Sequence, residues 1–241
     1  KINYILLHSS VFDPKMGNHT IDIYYYHMSP PSRATLMLIK ALGLKHNVKI
    51  VDVPNRGQMS PEFLKINPLH KIPVIDDQGF VICDSHAIMK YLVSQYAKDD
   101  SLCPRDPKKE ALVNQRLFFE ATVLFPRFGE YFVPTLFGGQ LPSEEARRNI
   151  LEAFQYMDNY LKGQNWFAGA NMTIADFSIF SPFSTAVACE AFDFDDYPNL
   201  WQWYQRTKSA MSGFGYEEIE LEGSNAFGGY YKSKLKGLTK E

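Results

Sequence analysis

Three short segments of this chain hold residue types whose spacing could serve a reaction. Ser29-Pro30-Pro31-Ser32 stands between a strand-like run and a helix-like one, and a helix N-terminus favours an anion through its N–H groups and dipole. A redox protein places Cys-x-x-Cys at such a junction, where the helix end stabilises a thiolate. Here the same spacing carries two hydroxyls. Serine is not a redox centre, so a thiol acting at this place has to arrive with a substrate. A hydroxyl donating to that thiolate lowers its pKa from about 8.5. A shift of about two units is worth roughly 2.7 kcal/mol and leaves most of the thiol ionised at neutral pH. On this segment alone, an N-cap role accounts for Ser29 equally well.

Ile72-Pro73-Val74 is the second segment. A proline opening an interior strand gives up a ladder hydrogen bond and calls for a reason. The third is Asp84-Ser85-His86, whose first two side chains stand at a helix start. They cap the helix there, or bind an ammonium and a carboxylate. Again the cap alone would explain them.

The elements that must position these segments follow from pattern. Ile21 to Tyr26 is β-branched and aromatic and reads as a strand. A helix with prolines in its first turn runs from about Arg33 to Leu42 and closes at Gly43. Val48 to Val53 reads as a second strand, Pro61 starts a short helix behind Ser60, and Ile72 to Ile75 is a third strand. Asp76-Asp77-Gln78-Gly79 turns the chain into Phe80 to Cys83, and Asp84-Ser85 caps a helix through about Ala97. That order, βαβ then helix then ββα, is thioredoxin-like. In such folds the proline is cis and leaves the backbone of the preceding residue, here Ile72, free to pair with a peptide-like ligand.

Residues 98–109, KDDSLCPRDPKK, are charged and broken by two prolines and read as a linker. Beyond it, Glu110 to Phe137, Ser143 to Leu161, Thr173 to Cys189 and Leu200 to Met211 carry helical patterning. The expected fold class is therefore α/β in a thioredoxin-like domain over 20–97, followed by an all-helical domain over 110–241. Residues 1–19 are expected to be an extension outside the fold. Their short apolar piece lacks the flanks of a signal peptide, and neither Met16-Gly17 nor the formal sequon Asn18-His19-Thr20 changes that reading.

Composition excludes several classes. The 241 residues include 18 Phe, 14 Tyr and 3 Trp, which demand a packed interior. Twenty-five basic residues against 27 acidic ones give a formal charge of −2, so no broad cationic field exists to collect nucleic-acid phosphates. Cys83, Cys103 and Cys189 are scattered, odd in number and without histidine at zinc-ligand spacing. No metal, no disulfide framework and a reducing, cytoplasmic compartment are expected. The most apolar late stretch, Phe177 to Cys189, is too short to span a bilayer, which needs about 20 residues. No membrane partner is expected.

In combination the segments resemble the glutathione transferase family, most closely its insect epsilon class with delta as nearest relative. The matching text is Ser29-Pro30-Pro31-Ser32-Arg33-Ala34, the run Pro61 to Val74, Asp84 to Leu92, and Met172-Thr173-Ile174-Ala175-Asp176-Phe177-Ser178. The resemblance covers about 20–235. It implies that Ser29 stabilises the thiolate of glutathione, the co-substrate, and that His70, with Lys71 beside it, contacts the glycyl carboxylate. Ile72 would pair with the cysteinyl group beside a cis Pro73, and Asp84 and Ser85 would anchor the γ-glutamyl group with His86 next to them. Thr173 and Asp176 resemble the family's internal capping box, a structural pair. One departure is Gln58, where these classes usually place a histidine; its amide still donates to a carboxylate but brings no charge.

The resemblance also implies a homodimer and an apolar pocket for a hydrophobic electrophile, lined by Pro31, Leu124, Phe125, Arg127, Phe128, Tyr131, Phe132, Phe137 and Phe214, with Tyr216 a further candidate. Phe125, Phe128 and Phe132 share one helical face, which reads as ordinary core on its own terms. Xenobiotic detoxification is the function implied. A steroid-handling enzyme similar to the Noppera-bo subgroup is the alternative, with Phe128 at the position of that subgroup's pocket acid and Glu130 two residues on. A carrier that binds hydrophobic ligands without turnover is the other alternative.

Overall fold

The computed structural model describes residues 20–239, so the expectations for residues 1–19 lie outside the described residues. The first half is β1 (Ile21–Tyr25), α1 (Pro30–Ala41), β2 (His46–Ile50), α2 (Pro61–Ile66), β3 (Val74–Asp77), β4 (Phe80–Cys83) and α3 (Ser85–Tyr96). The second half is helical: α4 (Pro107–Phe119), α5 (Phe125–Val133), α6 (Glu144–Leu161), α7 (Ile174–Ala188), α8 (Pro198–Met211) and α9 (Glu222–Leu238).

The sheet has the order β2-β1-β3-β4, with β1 and β2 parallel and the other pairs antiparallel. Its register decides where the functional segments go. Tyr24 is paired with Val74, and Val74 with Cys83, so the end of β1, the start of β3 and the end of β4 lie side by side. Tyr25 pairs with Ile50 on the other flank, and Val51 N–H donates to Tyr25 C=O at 2.9 Å. One end of the sheet therefore collects the loop to Ser29, the segment after Ile50, the Ile72–Pro73 peptide and Asp84.

Several boundaries differ from the sequence reading, each for a local reason. α1 starts at Pro30 rather than Arg33, because Ser29 caps it and the two prolines occupy its first positions. β2 ends at Ile50, since the chain turns at Val53 N–H to Val51 C=O. β3 begins two residues later than expected and extends to Asp77, so only Gln78 and Gly79 make the turn. The linker ends at Asp106, whose carboxylate caps α4 through Lys109 N–H at 3.0 Å. Pro107 there starts a helix instead of breaking one.

The long helix expected from Glu110 to Phe137 is four segments. π-helical turns at Glu120–Leu124 and Pro134–Gly138 flank α5. Pro126 has no N–H for the helical ladder, and the widened turn before it is how the helix passes that missing donor. A third π turn, Tyr216–Leu221, leads into α9, which the sequence reading did not identify. Its four glycines read as non-helical. Two of them are required by packing: a Cβ at Gly223 would lie 2.3 Å from His27 O, and one at Gly228 2.4 Å from Ala188 O.

α7 is buried along nearly its whole length. Its start is the capping box. Asp176, fully buried, accepts from Phe167 N–H (3.0 Å), Thr173 N–H (2.8 Å), Thr173 Oγ1 (3.2 Å) and Trp203 Nε1 (3.0 Å). Burial pushes its carboxyl pKa up, and these donors oppose the shift.

Candidate active site

Ser29 sits at the N-cap of α1 with extended backbone, and its Oγ accepts from Ser32 N–H at 3.4 Å. Arg33 N–H donates to Ser29 C=O at 3.1 Å. Pro30 and Pro31 have no N–H at all. The usual free backbone donors of a helix start are therefore gone or occupied, and the donors left at this end are two hydroxyls, that of half-buried Ser29 and that of fully buried Ser32. The two roles weighed for Ser29 are compatible: a lone pair caps the helix while the O–H points elsewhere. The dipole of a 12-residue helix adds to the preference for negative charge there.

The tyrosines at the end of β1 and just after it are less suited to hold a thiolate. Tyr25 is buried, and burial pushes its phenol up to about 12. Tyr24 packs edge-on against Phe63. Tyr26, half-buried and also raised by burial, donates to Met28 Sδ at 3.1 Å.

The Ile72–Pro73 peptide is cis and opens β3. The loop before it is built by Asn67, 2% exposed, whose Nδ2 donates to Lys71 C=O (2.8 Å) and whose Oδ1 accepts from Leu69 N–H (3.1 Å). This turn holds His70 at φ 48 and leaves His70 and Lys71 exposed. Gln58 lies in the short turn Gly57–Met59, and its side-chain Oε1 is buried without a hydrogen-bond partner. An amide end buried and unsatisfied costs stability unless a ligand supplies the missing bond.

Asp84 closes the row, held at φ 74, a left-handed conformation uncommon for a residue with a side chain. Its Oδ1 accepts from His86 N–H (3.0 Å) and Ala87 N–H (3.1 Å) and faces His86 Nδ1 at 3.3 Å. The hydrogen bond from His86 chiefly holds the Asp84 carboxyl down at about 2. Ser85, 7% exposed, is the first residue of α3. Sequence reasoning missed the partner on the other side of His86. Glu120, 4% exposed and belonging to the helical half, lies with Oε2 2.5 Å from His86 Nε2.

The aromatic stripe is divided. Leu124, Phe128, Tyr131 and Phe132 are buried. Phe128 packs on Phe227 of α9, Phe132 on Phe227 and Tyr231, and Tyr131 on Phe192. These four are core of the helical half, which for Phe128 and Phe132 agrees with their shared helical face. Phe125 is half-buried and stacked on Phe128. Arg127 is turned to α6, where it donates to Asn149 C=O and pairs with Glu152. Phe137 is 74% exposed. Phe214 and Pro31 are half-buried, the former stacked on Phe177, and Tyr216 is buried. Glu130 is exposed and bonded to Asn149.

A row of three strands about 4.8 Å apart is about 10 Å wide, close to the reach of an extended tripeptide at about 3.4 Å per residue. Asp84 stands at the β4 side of this row, the loop with His70 and Lys71 leads into β3 in its middle, and the Ser29 hydroxyl lies beyond the end of β1 on the other side. The fold and site thus define a thioredoxin-like protein built to hold a short thiol peptide beside a helical domain.

The Glutathione S-transferase N-terminal domain matches residues 28–95, and the Glutathione S-transferase C-terminal domain matches residues 88–209. Glutathione S-transferase D7 of Anopheles gambiae is 37% identical over 216 residues, covering 89% of this chain and 98% of its own. A delta-class glutathione transferase of Nilaparvata lugens superimposes with a TM-score of 0.84 at 41% identity, covering 89% of this chain and 99% of that one. An epsilon-class enzyme of the housefly, Musca domestica, does so with 0.83 at 38%, covering 89% and 98%. This chain belongs to the glutathione S-transferase family, and its enzymatic activity is the transfer of glutathione. Glutathione is the co-substrate. No helix among the described residues is long and apolar enough to cross a membrane.

Proposed function

We propose that the chain conjugates glutathione to hydrophobic electrophiles through a thiolate held by the Ser29 hydroxyl. The observation that carries this reading is the α1 start, where the prolines and the cap remove the backbone donors and, with the Ser32 hydroxyl fully buried, leave the Ser29 O–H as the accessible donor. Glutathione lies across the sheet end with its γ-glutamyl ammonium at Asp84 and Ser85. Its cysteinyl backbone pairs with Ile72 beside Pro73, and its glycyl carboxylate meets His70, Lys71 and Gln58. The thiolate attacks an electrophilic carbon, the C–S bond forms, and the leaving group departs with the displaced electron pair. The electrophile is brought close by apolar surface near Pro31, Phe125 and Phe214, and proximity supplies much of the rate.

Conjugation of glutathione to 1-chloro-2,4-dinitrobenzene from pH 5.5 to 8.5 tests the assignment. Ser29→Ala is expected to lose about tenfold or more in rate, with the thiol pKa of the bound glutathione moving up. The lost cap costs about 1 kcal/mol of stability, too little to unfold the protein. A fully active Ser29→Ala enzyme overturns the role and turns attention to Tyr26→Phe.

The motif text from Pro61 to Val74 supports placement in the epsilon class. Free thiols at Cys83, Cys103 and Cys189 support a cytoplasmic setting, and detoxification is the role this reading favours. No observation favours steroid handling, since Phe128 is core and Glu130 faces Asn149. The enzyme is a homodimer on this reading. Phe80 and Val81 of β4 and Leu112 and Phe118 of α4 are apolar and exposed, Phe118 by 67%, which supports a covered face. Light scattering on the eluting protein is expected to give twice the chain mass, and a monomer at micromolar concentration refutes it.

A further inference from the structure

Three side chains outside the glutathione site meet where α3, the segment after it and α4 come together. Lys90 Nζ donates to Cys103 Sγ at 3.3 Å and to a carboxylate oxygen of Glu110. The loop that carries Cys103 is tied down on both sides of it. Ser101 N–H donates to Asp99 Oδ1 at 2.9 Å, Arg105 N–H to Asp100 Oδ2 at 3.1 Å, and Ile174 N–H of α7 to Leu102 C=O at 2.9 Å. Cys103 is half-buried and borders a cavity of about 220 Å³, whose wall includes Lys90, Val93, Pro104, Arg105 and Glu110. Pockets for drug-sized ligands measure roughly 300–1,000 Å³, so this one admits a small molecule only.

The three cysteines stand in different surroundings. Cys189 is buried, which pushes its thiol up to about 12. Cys83 packs on the apolar cluster of Val51, Phe63 and Val74. Cys103 is the one whose sulfur meets an ammonium, the setting in which a cysteine serves as a nucleophile. Burial disfavours the charge of Lys90, but the Glu110 hydrogen bond and the Cys103 contact outweigh it and raise the amine, so the ammonium form is held. An ammonium has three N–H groups. Cys103 and Glu110 take two, which leaves the third for an oxygen that gains negative charge in the cavity. An oxidant or a disulfide attacked at Cys103 would leave that N–H unused, whereas an enolate would use it.

We propose that Lys90, Cys103 and Glu110 form a second nucleophilic site, at which Cys103 captures small α,β-unsaturated carbonyl compounds directly, without glutathione.

The Cys103 thiolate, its proton given to solvent, adds to the β-carbon. The C–S bond forms as the π pair of the C=C bond shifts toward the carbonyl and leaves an enolate. Lys90 meets the enolate oxygen as the charge develops, the step at which a fixed donor contributes most. Lys90 then gives a proton to the α-carbon and regains one from solvent. The product is a thioether that keeps its carbonyl; no leaving group departs, and no oxidant is needed. Glu110 holds the ammonium in place, and Arg105 adds a second cation to the wall.

The test treats the full chain, freed of glutathione, with less than one equivalent of acrolein and maps the adducts by peptide mass spectrometry. Cys103 is expected to be labelled about tenfold or more faster than Cys83 and Cys189. Iodoacetamide, which displaces iodide and forms no enolate, is the comparison probe. Lys90→Met is expected to slow acrolein at Cys103 by about tenfold and iodoacetamide by less, since only the first reaction needs the proton donor. Lys90→Arg keeps the cation, and is expected to hold acrolein labelling above that of Lys90→Met. Cys103→Ser is expected to lose the dominant adduct while conjugating 1-chloro-2,4-dinitrobenzene as wild type does. Equal labelling of Cys83 and Cys103 overturns the proposal. So does a Lys90→Met variant, folded by its circular dichroism, in which both probes slow by the same factor. If Lys90→Met does not fold, Glu110→Gln carries the same comparison, and an unchanged ratio of the two probes overturns the proposal there.

Discussion

Asp176→Ala is expected to cost about 3–5 kcal/mol of folding stability, a large share of the roughly 5–15 kcal/mol of a typical domain. The carboxylate is fully buried and accepts from two backbone N–H groups, a threonine hydroxyl and the Trp203 indole. Truncation leaves all four donors in a place water does not reach, and each orphaned donor costs about 1–3 kcal/mol before relaxation. It also removes the acid half of the capping box at the start of the central helix α7. Guanidinium unfolding checks the figure. Asp176→Asn, which keeps the shape and one acceptor oxygen, should fall between Ala and wild type. A change below about 1 kcal/mol for Ala would mean that the buried start of α7 relaxes to satisfy its own donors.

A second large effect is expected from the ion pair between Arg33 and Glu220, both fully buried, with Nε 3.2 Å from Oε2. Arg33 Nη1 donates to His27 C=O at 2.9 Å and Nη2 to Ser181 C=O at 3.4 Å and to Thr185 Oγ1. Ser181 Oγ donates to Glu220 Oε2 at 2.6 Å. Glu220→Ala leaves the guanidinium buried without its counter-charge, and the expected loss is about 3–5 kcal/mol. Replacing both residues, as in Arg33→Met with Glu220→Leu, removes the uncompensated charge. It should recover most of that loss, because buried pairs contribute little net stability over apolar residues of similar size. Unfolding of Arg33→Met, Glu220→Leu and the double closes the cycle, and strict additivity would show that the two charges are not coupled. Since Arg33 also holds the carbonyl of His27, two residues before Ser29, the double variant should keep its stability better than its activity.

Much of the glutathione half was legible because its positions are set by local chemistry. Prolines are tolerated at a helix start but not inside one, Asp84-Ser85 stand where a helix needs a cap, and the strands before them are rich in β-branched and aromatic residues. The register that gathers these segments follows from the pairing of three short strands. Glu120 was not legible in the same way. An acid inside the run Leu117-Phe118-Phe119-Glu120 looks like the solvent face of a helix, and the π turn that accommodates Pro126 lies at that residue. α9 was hidden by its glycines, which lower helix propensity by about 1 kcal/mol each relative to alanine. Yet Gly223 and Gly228 are the residues that let the helix seat against the backbone of the Ser29 loop and the end of α7. Part of the pocket lining that the resemblance implies is covered by this helix: Phe227 packs on Phe128 and Phe132, and Tyr231 on Phe132.

Residues Ser32 to Ile39 of α1 are buried without interruption. One side of that helix lies on the sheet and α3, the other on α7 and the turn before α9. A helix enclosed on every side has no solvent face on which neutral variation can accumulate, so the segment that begins at Ser29 is answerable to two cores at once. The halves of the enzyme are in this sense not interchangeable parts. A foreign helical domain joined to this sheet would inherit Ser29, Asp84 and the cis peptide as letters, but would have to reproduce the far wall of α1 before they stood in the same places. Diversification of the transferable kind is therefore confined to the surfaces beyond that wall, while the sheet end beside Ser29 is locked by the joint between the domains.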